Sequence, residues 1–110
     1  QTANTLSINK PAADDFSFIR GHRQGKGAAI NWGFNSSNAT AFTVQRTYED
    51  PNDPYSVWET VSNVPGDGSK HYRCLDQSVF PGYINYKVVA ALNDGNTVTS
   101  QVVTVRIVSH

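Results

Sequence analysis

Cysteine is nearly missing from this chain. Of 110 residues only Cys74 carries a thiol, so no disulfide can form within it and stability must come from core burial. Methionine is absent and leucine occurs three times, against 12 Val, 5 Ile and 9 Thr. Stiff, β-branched side chains suit half-buried strands and argue against an all-helical fold. Net charge is missing too: nine Lys and Arg balance nine Asp and Glu, which leaves no overall field to attract polyphosphate and sets nucleic acid aside as a partner. No apolar run approaches the roughly 20 residues that cross a bilayer, and the start QTANTLSINK lacks the charged-then-apolar layout of a signal peptide. No membrane insertion is expected. A start at Gln1 rather than Met reads as a processed product or a piece of something longer.

What is present alternates. Residues 1–13 hold little to bury and read as a flexible leader; residues 14–110 read as one β domain. FSFIR (16–20) alternates, and GHRQGKG (21–27) reads as a glycine-rich turn. AAINWGF (28–34) puts Ala28, Ile30, Trp32 and Phe34 on one face. AFTVQRTY (41–48) sets Phe42, Val44 and Tyr48 against Thr43, Gln45 and Thr47. EDPNDP (49–54) is irregular, because two prolines forbid a continued ladder, and YSVWETV (55–61) resumes it. NVPGDGS (63–69) reads as a turn, KHYRCLD (70–76) as a fifth strand and YINYKVVAAL (83–92) as the longest. NDGN (93–96) carries the Asp-Gly hairpin signal, and TVTSQVVTVRIV (97–108) reads as one closing strand. Seven strands with turn signals every 8 to 12 residues or so predict an all-β, antiparallel, immunoglobulin-like β-sandwich.

INW in the second strand, F-x-V-x-R at Phe42, Val44 and Arg46, a Trp in the fourth strand, and PGYINYKVVAALNDG before a final VVTV resemble a fibronectin type III domain over residues 14–108. The match is nearest to forms common in secreted bacterial proteins, whose turn into the sixth strand corresponds here to Asp76, Pro81, Gly82, Asn85 and Tyr86. The resemblance implies that Trp32 is the core tryptophan and Tyr86 a tyrosine-corner residue whose hydroxyl bonds main chain near residues 78–82. Parity favours Tyr86 over Tyr83, since Ile84, Tyr86, Val88 and Ala90 share a face. It implies an extracellular, cell-surface or periplasmic module that spaces or adheres, with no active site of its own.

Function must then lie on the surface. Tyr48, Tyr55, Trp58 and Tyr83 are the aromatics least claimed by the core. Tyr55 and Trp58, beside the proline-broken loop, are the candidate ligand-binding residues, for a sugar or protein surface. Cross-strand packing competes for Trp58. Arg20, His22, Arg23 and Lys26 form a basic cluster able to cradle sulfate, phosphate or an anionic glycan; a solvated hairpin turn is the preferred alternative. Glu49, Asp50, Asn52 and Asp53 lack the ladder of a Ca²⁺ loop. His22, His71 and His110 lack zinc spacing, so no metal and no cofactor are assigned. Cys74, in a strand-like YRCLD, is expected to be buried and inert. Asn35 and Asn38 stand in N-x-S/T sequons. Scattered acids, no G-x-S-x-G elbow and no lid-length insertion lead to the expectation that this is not an enzyme. The expected function is a non-catalytic, monomeric binding or spacer module. The alternative is a carbohydrate-binding module accessory to a glycan-degrading enzyme.

Overall fold

The computed structural model describes residues 15–108. The leader at 1–13 and His110 lie outside them. The elements in order are β1 (Phe16–Gln24), β2 (Gly27–Phe34), β3 (Ala39–Thr47), β4 (Glu59–Pro65), β5 (His71–Asp76), β6 (Gly82–Leu92), β7 (Thr97–Thr99) and β8 (Val103–Ile107). A three-stranded sheet β1-β2-β5 faces a sheet ordered β4-β3-β6, whose far edge is filled by β7 and then β8. Every pairing is antiparallel. With β7 and β8 counted as one interrupted strand, this is the seven-stranded immunoglobulin-like sandwich that alternation predicts.

The core is where parity puts it. Ile30, Trp32 and Phe34 of β2 meet Phe42 and Val44 of β3 and Ile84, Tyr86, Val88 and Ala90 of β6, all buried. The Trp32 ring stacks on Tyr72 at 5.9 Å and tilts against Phe42 at 5.6 Å. Its indole N–H has no acceptor among the described residues, so packing rather than hydrogen bonding holds it. Cys74 is buried beside them, and burial pushes its thiol pKa up, away from the nucleophilic thiolate.

Four local expectations need correction. β1 does not stop at residue 20: it continues through Gln24, and the hairpin turn is only Gly25 and Lys26, with Gly25 at φ 61°. Gly21 belongs inside the strand because a Cβ there would come 2.8 Å from Val105 Cγ2, so its smallness lets β1 lie against β8. β4 starts at Glu59 rather than 55 and runs on to Pro65, which an edge strand tolerates. β3 ends at Thr47 rather than Tyr48, and Thr47, on the side opposite Phe42 and Val44, is buried. The closing segment is broken because inward positions are even in Val98 and Ser100 but odd in Val103, Val105 and Ile107. An uninterrupted strand cannot change parity. At the break the Ser100 hydroxyl accepts from Val88 N at 2.9 Å and donates to Gln101 O at 2.8 Å.

Replacing Trp32 with Ala removes the largest buried side chain and is expected to cost about 3 to 5 kcal/mol. Urea unfolding measures this, and an unmoved midpoint would contradict the packing described. In the same folded protein Cys74 should react with a maleimide only on the timescale of unfolding.

Candidate functional site

The residues carrying the family resemblance converge at one end of the sandwich. Asp76 ends β5 in the three-stranded sheet, whereas Arg46 and Tyr86 stand opposite each other on β3 and β6 in the other. The Arg46 guanidinium donates from Nη1 to both Asp76 oxygens at 2.7 Å and to Ser78 O at 2.8 Å, and from Nε to Glu59 at 3.1 Å. The Tyr86 hydroxyl donates to Asp76 Oδ2 at 2.8 Å. Its expected main-chain partner near residues 78–82 is thus corrected: Arg46 takes that carbonyl, and the phenol finds the charged acceptor two residues earlier. Burial works against the Arg46 charge, but the Asp76 and Glu59 hydrogen bonds raise its pKa further above its ordinary value. Burial first, and then Asp76, push the Tyr86 phenol well above its ordinary value. Asn85, one position before, donates to Glu49 O at 3.1 Å and accepts from Thr104 at 2.8 Å, tying β6 to the loop after β3 and to β8. The carboxylate of Asp76 also accepts from Ser78 N, at 3.3 Å. With its oxygens so engaged, it acts as a tie between sheets rather than a group presented to a substrate.

The aromatic candidates are divided. Residues 48–58 form a loop between β3 and β4 held by its own acids: Asp50 accepts from Asn52 N and Asp53 from Tyr55 N, each at 2.9 Å, while Glu49 accepts from Val57 N at 3.2 Å. These carboxylates shape turns. Tyr55 lies in this loop, 89% exposed. Trp58, just before β4, is half-buried, with Lys87 Nζ 4.0 Å from its ring centroid. The rings of Tyr55 and Trp58 do not pair with each other. Tyr83 is 64% exposed and stands on the outward side of β6, in the series Tyr83, Asn85 and Lys87, with Arg106 5.8 Å from its ring. Phe80, which the sequence did not single out, is 71% exposed and packs its ring 5.9 Å from Tyr48. Its position in QSVFPG, two residues before a glycine turn, is the signal that marks it as a loop residue.

The outward side of the five-stranded sheet therefore presents Thr43, Gln45, Asn63, Lys87, Thr99 and Thr104 with Trp58 and Tyr83 among them. It is a flat, amide- and hydroxyl-bearing surface. The basic segment is elsewhere: Arg20 and His22 project from β1, on the opposite side of the molecule, and Lys26 occupies the hairpin tip. Among the described residues no group of three or more His, Cys, Asp or Glu is placed to hold a metal ion.

No protein-family model and no curated protein matches the sequence. Solved structures do. Pectate lyase PelI from Erwinia chrysanthemi, in complex with tetragalacturonic acid, superposes with a TM-score of 0.64 at 16% identity, covering 82% of this chain and 28% of that one. A lytic polysaccharide monooxygenase from Kitasatospora papulosa gives a TM-score of 0.58 at 16% identity, covering 77% of this chain and 49% of that one. A second, from Streptomyces lividans, gives 0.54 at 17% identity, covering 78% of this chain and 58% of that one. This chain thus spans about a quarter of the lyase and about half of the monooxygenases. These likenesses establish the fold. They also correct the expectation that the chain is not an enzyme, since the chains sharing its sandwich are enzymes.

Tyr86→Phe is expected to lose about 1.5 to 3 kcal/mol, the range for a hydrogen bond to a charged acceptor, and Tyr83→Phe no more than about 0.5. The Tyr86 phenol stays protonated when folded and ionises near its ordinary value of 10.0 when unfolded. Its contribution is therefore full below that pH and falls by about 1.4 kcal/mol per pH unit above it. Denaturant midpoints between pH 8 and 11 check this. Tyr86→Phe should lack that part of the alkaline slope; an identical slope in both proteins contradicts it.

Proposed function

We propose that this chain is a fibronectin type III-like, glycan-directed module of an extracellular polysaccharide-degrading system. The sandwich architecture, with Trp32 and Tyr86 buried on facing strands, supports the family part of the proposal. The glycan part is carried by one observation: the aromatics Trp58 and Tyr83 stand among threonine hydroxyls and side-chain amides on the outward side of the five-stranded sheet, and Tyr55 is exposed in the loop that leads into its β4 edge. Aromatic rings cover the C–H faces of sugars, and amides and hydroxyls meet their hydroxyl groups. An open, flat surface suits a long chain better than a small molecule, and such polymers are met outside the cell. The solved chains with this sandwich include a lyase bound to tetragalacturonic acid and enzymes that attack polysaccharides, which favours the same substrate class here.

Affinity electrophoresis through gels containing soluble polysaccharides, at low and high salt, tests the proposal. Retention on this surface should survive salt, because apolar contact with rigid rings is little screened. Tyr55→Ala or Trp58→Ala should weaken it about tenfold, the equivalent of one lost aromatic contact. A parent protein retained by no polysaccharide, or retention indifferent to Tyr55, Trp58 and Tyr83 together, overturns the assignment.

A further inference from the structure

The outward side of the three-stranded sheet carries charge of one sign. Phe18, Arg20 and His22 project from β1, and His71, Arg73 and Leu75 from β5. Between these rows β2 contributes only Ala29, Asn31 and Gly33. Large side chains flanking small ones leave a shallow furrow along the strands, about 410 Å³ in volume, lined by Phe18, Arg20, His22, Asn31, His71 and Tyr72. Its floor depends on Gly33, where a Cβ would come 2.7 Å from the Phe18 ring. The Arg20 guanidinium lies 5.1 Å from the centroid of that ring, which is itself 5.6 Å from His71. Arg73 donates to Gln24 at 2.6 Å.

Asp and Glu are absent from every outward position of these three strands. Both ion pairs among the described residues belong to Arg46, so neither Arg20 nor Arg73 has a carboxylate at ion-pair distance. Of the acids, Glu49, Asp50 and Asp53 lie in the loop before β4 and Glu59 on it, on the other sheet, while Asp67, in the turn before β5, meets the Tyr72 hydroxyl at one end of the furrow. The register puts Arg20, Asn31 and Arg73 in one row across the sheet, with the two arginine strands about 10 Å apart, twice the spacing of neighbouring strands.

We propose that this furrow binds an acidic polysaccharide, a polyuronate chain lying along the strands. Guanidinium forks match carboxylates geometrically; Arg20 lines the furrow beside Phe18, and Arg73, outside that lining, crosses from β5 to reach Gln24 at the hairpin end of β1. The Phe18 face meets the sugar ring between, and Asn31 on the floor supplies an amide to its hydroxyls. Two guanidiniums that lean to different ends of β1, one toward Phe18 and the other toward Gln24, call for a ligand bearing carboxylates at intervals rather than one small anion. A nucleic acid is disfavoured because its affinity comes from many released counterions, and this neutral molecule offers too few clustered cations to release them. The sugar part of the inference rests on the glycan-directed function proposed above, and the acid part on the charge of this face alone.

The experiment uses the whole chain against polygalacturonate, its fully methyl-esterified form and a neutral glucan, by calorimetry and gel retention, with single-stranded DNA as a further probe. Polygalacturonate should bind, and esterification, which removes charge but keeps the backbone, should abolish binding. Arg20→Gln and Arg73→Gln should each weaken it about tenfold, as for one lost charge-assisted contact. Asn31→Asp, nearly isosteric and placed on the floor, should weaken it as well, so the test stands even if an arginine variant folds poorly. Equal binding of the esterified chain, indifference to all three furrow variants, or tighter binding of DNA overturns the inference. Retention by the neutral glucan without binding of polygalacturonate overturns it while leaving the glycan-directed function standing.

Discussion

One buried carboxylate joins the two sheets. Asp76 is 3% exposed, and an unpaired charge at such a site would be costly enough to prevent folding in this arrangement. It is tolerated because Arg46 and Tyr86, from the facing sheet, both donate to it, and because Ser78 N closes the group from its own chain. Each donor belongs to a different segment, so the positions of β3, β5 and β6 are specified together. The same guanidinium carries the next connection by fixing Ser78 O. Hydrophobic burial supplies most of the driving force, but it is non-directional. Asp76 supplies direction, and breaking it by removing one partner leaves the others' charge or hydroxyl stranded in the interior.

Much of this was legible before any coordinates. Strict alternation in residues 28–34 and 83–92 placed Trp32 and Tyr86 inward, because a period of two leaves no other choice when one face is buried. What could not be read was anything set by contact between sheets. Gly21 looked like turn punctuation, yet it is small because Val105 approaches it. The resemblance points the Tyr86 hydroxyl to main chain, and nothing in the spacing reveals that Arg46 arrives from another strand to occupy that carbonyl. The change of parity between Val98 and Val103 is visible in hindsight as the Val102-Val103 doublet, two adjacent apolar residues where alternation allows one.

The binding surfaces were less legible than the core for a related reason. Net charge averages over the chain, and an average of zero hides that Arg20, His22, His71 and Arg73 share a face that bears no carboxylate on its strands, while Glu49, Asp50, Asp53 and Glu59 lie in the loop before β4 and on it. Residues 20–26 were recognisable as basic, but taken as a hairpin turn they lacked partners. Only the pairing of β2 with β5 brings His71 and Arg73 alongside, some fifty residues later in the chain. Tyr55 and Trp58 are close in sequence, yet folding sends one into a loop and leaves the other under Lys87.

The interruption at Ser100 also bears on how such domains share space. An edge strand offers unpaired amides and carbonyls to any neighbour able to lie alongside it, and a long flat edge invites fusion of two sheets into one. Here β7 has three residues, and the chain then turns its hydrogen-bonding groups inward, with the Ser100 hydroxyl meeting both Val88 N and Gln101 O. A copy arriving at that border finds too short a ladder to zip onto. Joining of two sheets across this border is thereby disfavoured, however closely copies of the domain are brought together.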